Sequence, residues 1–126
     1  MIASKTWLPC LLLFCLPALA GAGVDRRGEE GIAAYYSDVF QGRKTASGAR
    51  YDKRALTAAH NHLPFGTRVR VTNLKNGQSV VVTITDRGPR GGRRIIDLSR
   101  AAARRIGLIH EGIGRVRIEV LEEPAR

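Results

Sequence analysis

The sequence predicts a mainly β protein, a small closed or nearly closed β-barrel with one or two short helices. Three observations predict this class. Five or six short runs alternate apolar and polar residues, as strands with one buried face do. Gly, Pro or Asn residues separate the runs. About 105 residues follow an apparent export signal, enough for one domain with one core. The spacing of the runs does not define the strand order.

The chain begins with a segment typical of an export signal, residues 1–20, in which a lysine precedes an apolar run. Small residues allow cleavage after Ala20 or after Ala22. The apolar run is too short for a spanning helix and contains prolines, so we expect no stable membrane insertion. Both cysteines, Cys10 and Cys15, lie inside the signal without the preceding small residue that lipidation requires. We therefore expect an exported, unlipidated domain of the periplasm or cell envelope.

Charge predicts an anionic partner. Removing Lys5 from the 21 basic residues leaves 20 against 11 acidic residues. Nucleic acid is disfavoured because the chain is exported and only 6% aromatic, which offers few stacking platforms. The histidines show no metal-ligand spacing and the exported part has no cysteine, so we expect no metal and no other cofactor. We expect a monomer.

The first part of the exported chain predicts a leader, a strand and a loop. Residues 21–30 are small and charged without periodicity, which favours a flexible leader. The segment Gly31–Phe40 is strand-like, and we expect Tyr35 and Tyr36 to send one ring into the core and leave the other available. Residues 41–52 are small and polar, typical of an ordered loop on which a site can sit.

The middle of the chain predicts a β-hairpin. A short apolar run, Ala55–Leu63, ends at Pro64, which favours extended backbone at the residue before it. Residues 67–72 and 79–85 then alternate apolar and polar positions on either side of an Asn-Gly turn.

The second hairpin strand leads into the most informative stretch of the chain, residues 78–99. Val80, Val82 and Ile84 share one face of the strand, and Asp86 continues that face where the strand ends. Proline and several glycines follow and force a turn. We therefore expect Asp86 at a rim of the barrel, next to a buried row.

The last part of the chain predicts a strand over 94–98, a helix over 100–106 capped by Ser99, and a final strand over 115–121. On that helix, two alanines and an isoleucine form the stripe expected to be buried. The predicted organisation is a signal at 1–20, a leader at 21–30, a barrel domain at 31–122 and a tail at 123–126.

Four blocks of the sequence resemble the rare lipoprotein A (RlpA) family in the same order and at similar spacing. They are GIAAYYS at 31–37, KTASGARYD at 44–52, LTAAHNHLPFGT at 56–67 and TDRGPRGGRRIIDLSRAAARRIG at 85–107. The resemblance implies a six-stranded double-psi β-barrel, the fold of expansins. It also implies an endolytic peptidoglycan transglycosylase that prefers glycan strands lacking stem peptides and leaves 1,6-anhydromuramic ends. We expect no septum-targeting (SPOR) domain, because the chain stops shortly after the last predicted strand.

The resemblance implies that Asp86 and His60 are catalytic. A lytic transglycosylase needs a group that protonates the glycosidic oxygen and helps to deprotonate the sugar's 6-hydroxyl, so one carboxyl can suffice. Asp86 matches the aspartate of the family's DRGP motif, and His60 matches a histidine implicated in activity. The alternatives are that Asp86 caps the Gly/Pro turn and that His60 is structural.

The remaining candidates for substrate contact are Tyr35, Tyr36, Thr45, Ser47, Asp52, Arg87 and Asp97. Each has a structural alternative. The tyrosines can pack in the core, and the two hydroxyl residues and Asp52 can form hydrogen bonds within their loop. Asp97 can interact favourably with the dipole of the helix that follows it. The arginine belongs to a basic run that is either a solvated face or a partner for the lactyl carboxylates of the glycan.

One departure from the family leaves the function open. Family members commonly carry a glutamate where this chain has Ala49, and a methyl group cannot transfer a proton. The sequence therefore supports a transglycosylase, with a non-catalytic, expansin-like wall-binding module as the alternative.

Overall fold

The computed structural model describes residues 28–124, so the predicted signal and most of the predicted leader lie outside the described residues. The strands are β1 (Glu29–Tyr35), β2 (Thr57–Ala59), β3 (Arg68–Asn73), β4 (Ser79–Asp86), β5 (Arg94–Leu98) and β6 (Gly114–Glu122). The helical elements are a 3₁₀-helix (Asp38–Phe40) and α1 (Arg100–Arg105). Across residues 28–124 the strands form one closed barrel in the order β1-β5-β2-β4-β3-β6. The predicted mainly β, six-stranded fold with short helices is confirmed.

Two parallel pairs bring distant segments of the chain side by side: β1 with β5, and β2 with β4. The short β2 also pairs antiparallel with β5, so it lies between β4 and β5. Its last residue, Ala59, pairs with Asp86 on one side and with Asp97 on the other. The topology therefore brings two carboxylates from separate strands to the same end of β2.

The predicted hairpin is confirmed as β3 and β4. Val69 lies opposite Val82, and Val71 lies opposite Val80. Gly77 in the connecting turn has a φ of 77°, a left-handed conformation that glycine adopts without a steric cost.

Branched aliphatic side chains fill the barrel. The predicted inward row of Val80, Val82 and Ile84 is 5%, 1% and 0% exposed, which confirms the register of β4. Other fully buried side chains from the strands are Val69, Val71, Ile96, Leu98 and Val116. Because burying one such side chain contributes about 1.5–3 kcal/mol, this core supplies most of the free energy that opposes unfolding.

The helix α1 packs against this core as the sequence predicts. Ser99 caps it, since the Ser99 Oγ accepts a hydrogen bond from the Ala102 N–H at 3.2 Å. Ala102, Ala103 and Ile106 are fully buried. Gly107 ends the segment with a φ of 72°. Among the described residues, no helix has the length and apolar character to cross a membrane.

Two predicted boundaries near the amino terminus are wrong. The predicted leader included Glu29 and Glu30, but both belong to β1, where they pair with Ile118 and Arg117 of β6. The predicted strand over 31–40 is also too long, because β1 ends at Tyr35. The charged start of β1 has no strand-like pattern of its own, and its partners lie almost ninety residues away in the sequence.

The carboxyl-terminal elements follow the prediction more closely. β6 extends the predicted strand by one residue at each end. Val116 and Ile118 are buried, as predicted, whereas Val120 is half-buried and packs against the edge of the core.

Candidate active site

A cleft of about 520 Å³ opens at the rim of the barrel, where β1, β4 and β5 end. We call it the primary cleft. Its aromatic residues are Tyr35, Tyr36 and Phe40, its carboxylates are Asp86 and Asp97, and its cations are Arg87, Arg90 and Arg94. Aromatic faces, carboxylates and arginines in one concave surface are the groups that a charged saccharide needs for stacking, proton transfer and ion pairing.

Asp86 is fixed by hydrogen bonds to both carboxylate oxygens. Its Oδ1 accepts from the backbone N–H groups of Ala46 and Arg87, each at 2.9 Å. Its Oδ2 accepts from the hydroxyl of Tyr36 at 2.5 Å. The alternative that Asp86 supports the turn also holds, because its Oδ1 accepts from the first N–H of that turn. Both oxygens therefore face donors, and the group is arranged as an acceptor.

Tyr36 holds Asp86 through its hydroxyl and is itself held by neighbouring rings. Its ring lies 4.5 Å from that of Tyr51 and 5.7 Å from that of Phe40, measured between centroids. Burial raises the pKa of Tyr36 far above its usual value, and the hydrogen bond to Asp86 and the charge of that carboxylate raise it further. Tyr36 therefore stays protonated and remains a donor to Asp86.

Asp97 is the second carboxylate of the primary cleft, and its environment differs from that of Asp86. Its side chain is 19% exposed, and its Oδ1 has no hydrogen-bond partner among the described residues. Burial raises the pKa of Asp97, whereas Arg94, whose Nη1 lies 3.6 Å from the same Oδ1, opposes the shift; the charge of Asp86 raises the pKa further. The residue that caps the amino terminus of α1 is Ser99, not Asp97. The position of Asp97 in the cleft therefore does not support the helix-dipole role that the sequence suggested.

His60 is buried and lies beside the primary cleft rather than in it. Its Nδ1 accepts hydrogen bonds from the N–H groups of His62 at 3.0 Å and Leu63 at 3.2 Å. The Nδ1 must therefore carry a lone pair, and the Nε2 donates to a Glu29 oxygen 3.1 Å away. The backbone N–H of His60 donates to the carbonyl of Asp86 at 3.1 Å. His60 thus orders the turn after β2 and fixes the backbone of Asp86.

Arg87 lines the primary cleft, but its guanidinium binds the protein. Its Nη1 donates to the carbonyls of His60 at 3.0 Å and Leu63 at 2.8 Å. The guanidinium carbon lies 4.0 Å from the centroid of the Phe65 ring. The structure therefore assigns Arg87 to joining the turn after β2 to the end of β4.

The loop at 43–51 contributes a backbone N–H group, that of Ala46, to the site, and none of its side chains lines the primary cleft. The hydroxyl of Thr45 donates to the carbonyl of Ala49 at 2.6 Å and lies 3.0 Å from the hydroxyl of Ser47. The backbone N–H of Ser47 donates to Thr85 at 3.2 Å, which docks the loop on β4. This arrangement aims the Ala46 N–H at Asp86, while the side chains of Thr45, Ser47 and Ala49 lie outside the lining of the primary cleft.

Asp52 also lies outside the primary cleft. Its Oδ1 accepts from the backbone N–H of Arg54 at 3.0 Å, and that hydrogen bond lowers the pKa of Asp52. Asp52 therefore supports its own loop and, within residues 28–124, forms no hydrogen bond or ion pair with the other candidate residues of the site.

The sequence named nine site residues, and the structure brings Asp86, Asp97, Tyr35, Tyr36 and Arg87 to one surface. The hydroxyl of Tyr35 donates to the carbonyl of Ile109 at 2.9 Å, so only its ring is available to a ligand. Sequence reasoning missed Phe40 and gave no separate role to Arg90 and Arg94. The position of Arg94, three residues before Asp97 in the same strand, was the available signal. In residues 28–124 no cluster of three or more His, Asp or Glu side chains could hold a metal.

Solved structures with the same fold define the class of this barrel. Streptomyces papain inhibitor has a TM-score of 0.63 and 23% identity over 79% of this chain and 98% of its own, which shows the fold alone. An expansin of Clavibacter michiganensis has a TM-score of 0.59 and 25% identity over 79% of this chain and 52% of its own. A mutant of that expansin in complex with cellohexaose matches with a TM-score of 0.58. The domain is a double-psi β-barrel.

The family follows from the sequence comparisons. A family model described as "Lytic transglycolase" matches residues 28–118. A protein of Synechocystis sp. named a probable endolytic peptidoglycan transglycosylase RlpA is 55% identical over 101 residues, covering 80% of this chain and 32% of the relative. The Haemophilus influenzae endolytic peptidoglycan transglycosylase RlpA is 56% identical over 93 residues, covering 74% of this chain and 32% of the relative. This chain belongs to the RlpA family. It spans about a third of the length of these relatives.

Proposed function

We propose that this domain is an endolytic lytic transglycosylase that cleaves peptidoglycan between muramic acid and glucosamine. The observation that carries the proposal is the pair of carboxylates in the primary cleft. Asp86 is hydrogen-bonded on both oxygens, whereas Asp97 is half-buried and its Oδ1 accepts no hydrogen bond from residues 28–124. Membership of the RlpA family supports it, since the relatives are named for this activity. The predicted export signal supports a site of action in the periplasm or cell envelope.

The different environments of Asp97 and Asp86 support different roles for them in the reaction. Asp97, whose pKa is raised by burial, gives a proton to the glycosidic oxygen as the bond to the anomeric carbon breaks. The 6-hydroxyl oxygen of the same muramic acid closes on that carbon, which forms the 1,6-anhydro ring without water. The hydroxyl proton passes to ionised Asp97, which restores the acid. The carboxylate of Asp86 lies in the same cleft and stabilises the positive charge that develops on the sugar.

This division refines the sequence-based hypothesis, which gave the acid role to Asp86. Tyr36 and the backbone N–H groups of Ala46 and Arg87 donate to Asp86, so both of its oxygens are already engaged as hydrogen-bond acceptors. His60 acts as a positioning residue, because it lies outside the lining of the cleft and fixes the backbone of Asp86.

The preferred substrate is a glycan strand without stem peptides. Such a strand carries a free lactyl carboxylate on each muramic acid, and Arg90 and Arg94 lie in the lining of the cleft to pair with it. The rings of Tyr35 and Phe40 lie in the same lining and offer apolar surface to the faces of sugar rings.

The test is mass spectrometry of purified peptide-free strands after incubation with the exported chain. New 1,6-anhydromuramic ends are expected with the wild type, with Asp97→Asn and Asp86→Asn each reducing their rate by about 10²-fold or more. Hydrolytic ends with a free reducing group would contradict the proposal, since they require water as the nucleophile.

A second candidate function is a non-catalytic wall-binding module. Ala49 favours the wall-binding module, because it replaces the glutamate expected from the family resemblance. A mutant expansin of the same fold, solved in complex with cellohexaose, also favours it. Under this alternative the strands sediment with the protein but stay intact, and Asp97→Asn has no turnover to reduce.

A further inference from the structure

A second concave surface lies where α1 meets the loop after Tyr51. It encloses about 320 Å³ and is lined by four cations and one small apolar residue: Lys53, Arg54, Arg100, Arg104 and Ala101. We call it the basic cleft. It shares no lining residue with the primary cleft, and it has no acidic residue in its lining.

The backbone holds the two sides of the basic cleft together. The N–H of Ala101, in the first turn of α1, donates to the carbonyl of Lys53 at 2.9 Å. The N–H of Lys53 donates to the side-chain oxygen of Gln41 at 2.7 Å. These contacts place Lys53 and Arg104 on one concave surface.

Within the described part of the chain, two of the four cations of the basic cleft lie near a carboxylate, and the other two do not. Arg54 lies 3.3 Å from a carboxylate oxygen of Asp52, and Arg100 lies 3.6 Å from one of Asp38. Within residues 28–124, Lys53 and Arg104 have no carboxylate within 4.0 Å. The basic cleft therefore presents two uncompensated charges to an anionic ligand.

The 3₁₀-helix lines the primary cleft and forms an ion pair with the basic cleft. Asp38, the partner of Arg100, belongs to the 3₁₀-helix whose Phe40 lines the primary cleft. The same helix exposes Val39 by 67% and Phe40 by 41%. A polymer that leaves the primary cleft over this helix meets an apolar surface, suited to the faces of sugar rings, before it reaches the cations.

We infer that the basic cleft is a distal subsite for the glycan strand, in which Lys53 and Arg104 bind the lactyl carboxylate of a muramic acid away from the bond that is cleaved. The inference rests on the proposed function for its substrate. A stem peptide is joined to that carboxyl as an amide, which removes its charge. The basic cleft therefore selects strands without stem peptides, at a distance from the chemistry.

Binding of strands of one length to the exported chain tests this subsite, with Asp86→Asn as the background so that cleavage is slowed by about 10²-fold or more during the measurement. The probes are peptide-free strands and the same strands with every lactyl carboxyl amidated. The double substitution Lys53→Gln with Arg104→Gln is expected to weaken binding of the free-acid strands about tenfold. It should leave binding of the amidated strands unchanged. The matched control is Arg105→Gln, an exposed arginine on the same helix outside the cleft, which should change neither affinity by more than about twofold.

Equal binding by the double variant and its parent would overturn the subsite, as would an equal loss in the Arg105→Gln control. Inorganic polyphosphate that binds through Lys53 and Arg104 as tightly as the strands would also overturn it, because the cleft would then be a general polyanion site. Failure of the proposed transglycosylase activity would give a different result. The wild type would make no 1,6-anhydromuramic ends, but binding of free-acid strands would still depend on Lys53 and Arg104.

Discussion

Asp86 and Asp97 lie on different strands but pair with the same residue, Ala59, from opposite sides of β2. The barrel therefore sets the relative position of their backbones through strand pairing. Their surroundings then separate their roles. Asp86 faces three donors, whereas Asp97 is half-buried and its Oδ1, 3.6 Å from the Arg94 guanidinium, accepts no hydrogen bond from residues 28–124.

The first prediction concerns proton transfer by Asp97. Asp97→Asn keeps the shape of the side chain and removes the proton donor, so the cleavage rate should fall by about 10²- to 10⁴-fold. Affinity for uncut strands should change little. The measurement is the initial rate of formation of 1,6-anhydro ends together with equilibrium binding. Retention of more than about a tenth of the wild-type rate would remove Asp97 from the acid role.

The second prediction concerns the pH dependence of stability. Because burial raises the pKa of Asp97 in the folded protein, the folded state binds more protons than the unfolded state between the two pKa values. The free energy of unfolding contributed by this group is thus present at low pH and is lost as pH rises through the folded pKa. Urea unfolding across this acidic range should show a smaller fall in stability with rising pH for Asp97→Asn than for the wild type. Parallel curves for the two proteins would contradict the assignment.

The third prediction concerns the hydroxyl of Tyr36. Tyr36→Phe keeps the ring in the aromatic cluster and removes the donor to Asp86. Loss of a hydrogen bond to a charged group should cost about 1–3 kcal/mol of unfolding free energy and slow cleavage by about tenfold or more. The matched control is Tyr51→Phe, whose hydroxyl accepts from the backbone N–H of Arg100 outside the primary cleft. A similar loss of activity in both variants would show that general destabilisation, not the position of Asp86, is responsible.

The fourth prediction distinguishes positioning from catalysis at His60. His60→Ala leaves two backbone N–H groups without an acceptor and should cost about 2–5 kcal/mol of stability, with activity falling in step. His60→Asn offers a side-chain oxygen to the same N–H groups, so it should recover much of both losses. Denaturant unfolding and cleavage rates of the two variants provide the test. An asparagine variant that is stable but inactive would instead make His60 a proton-transfer residue.

The sequence predicts the hairpin, the capped helix and the buried row before Asp86 because each depends on residues close together in the chain. The start of β1 was missed because its strand partners lie in β6. The orientation of His60 was missed for the same reason, since its Nε2 partner, Glu29, is 31 residues away. Asp97 was named as a candidate, but its partial burial and its position across β2 from Asp86 depend on two strand pairings that local spacing does not encode.

The last prediction concerns Ala49, where the sequence resemblance leads us to expect a glutamate. Ala49 is exposed, it lies outside the lining of the primary cleft, and its carbonyl accepts from the backbone N–H of Thr45 at 2.7 Å whatever its side chain is. Ala49→Glu should therefore leave the unfolding free energy within about 0.5 kcal/mol of the wild type. If Asp86 and Asp97 carry the chemistry, the substitution should also change the rate of 1,6-anhydro end formation by less than about threefold, well below the effect of a positioned acid or base. A gain of 10²-fold or more would mean that the wild-type domain lacks a catalytic group that the loop can supply, and it would favour the wall-binding alternative for the natural chain.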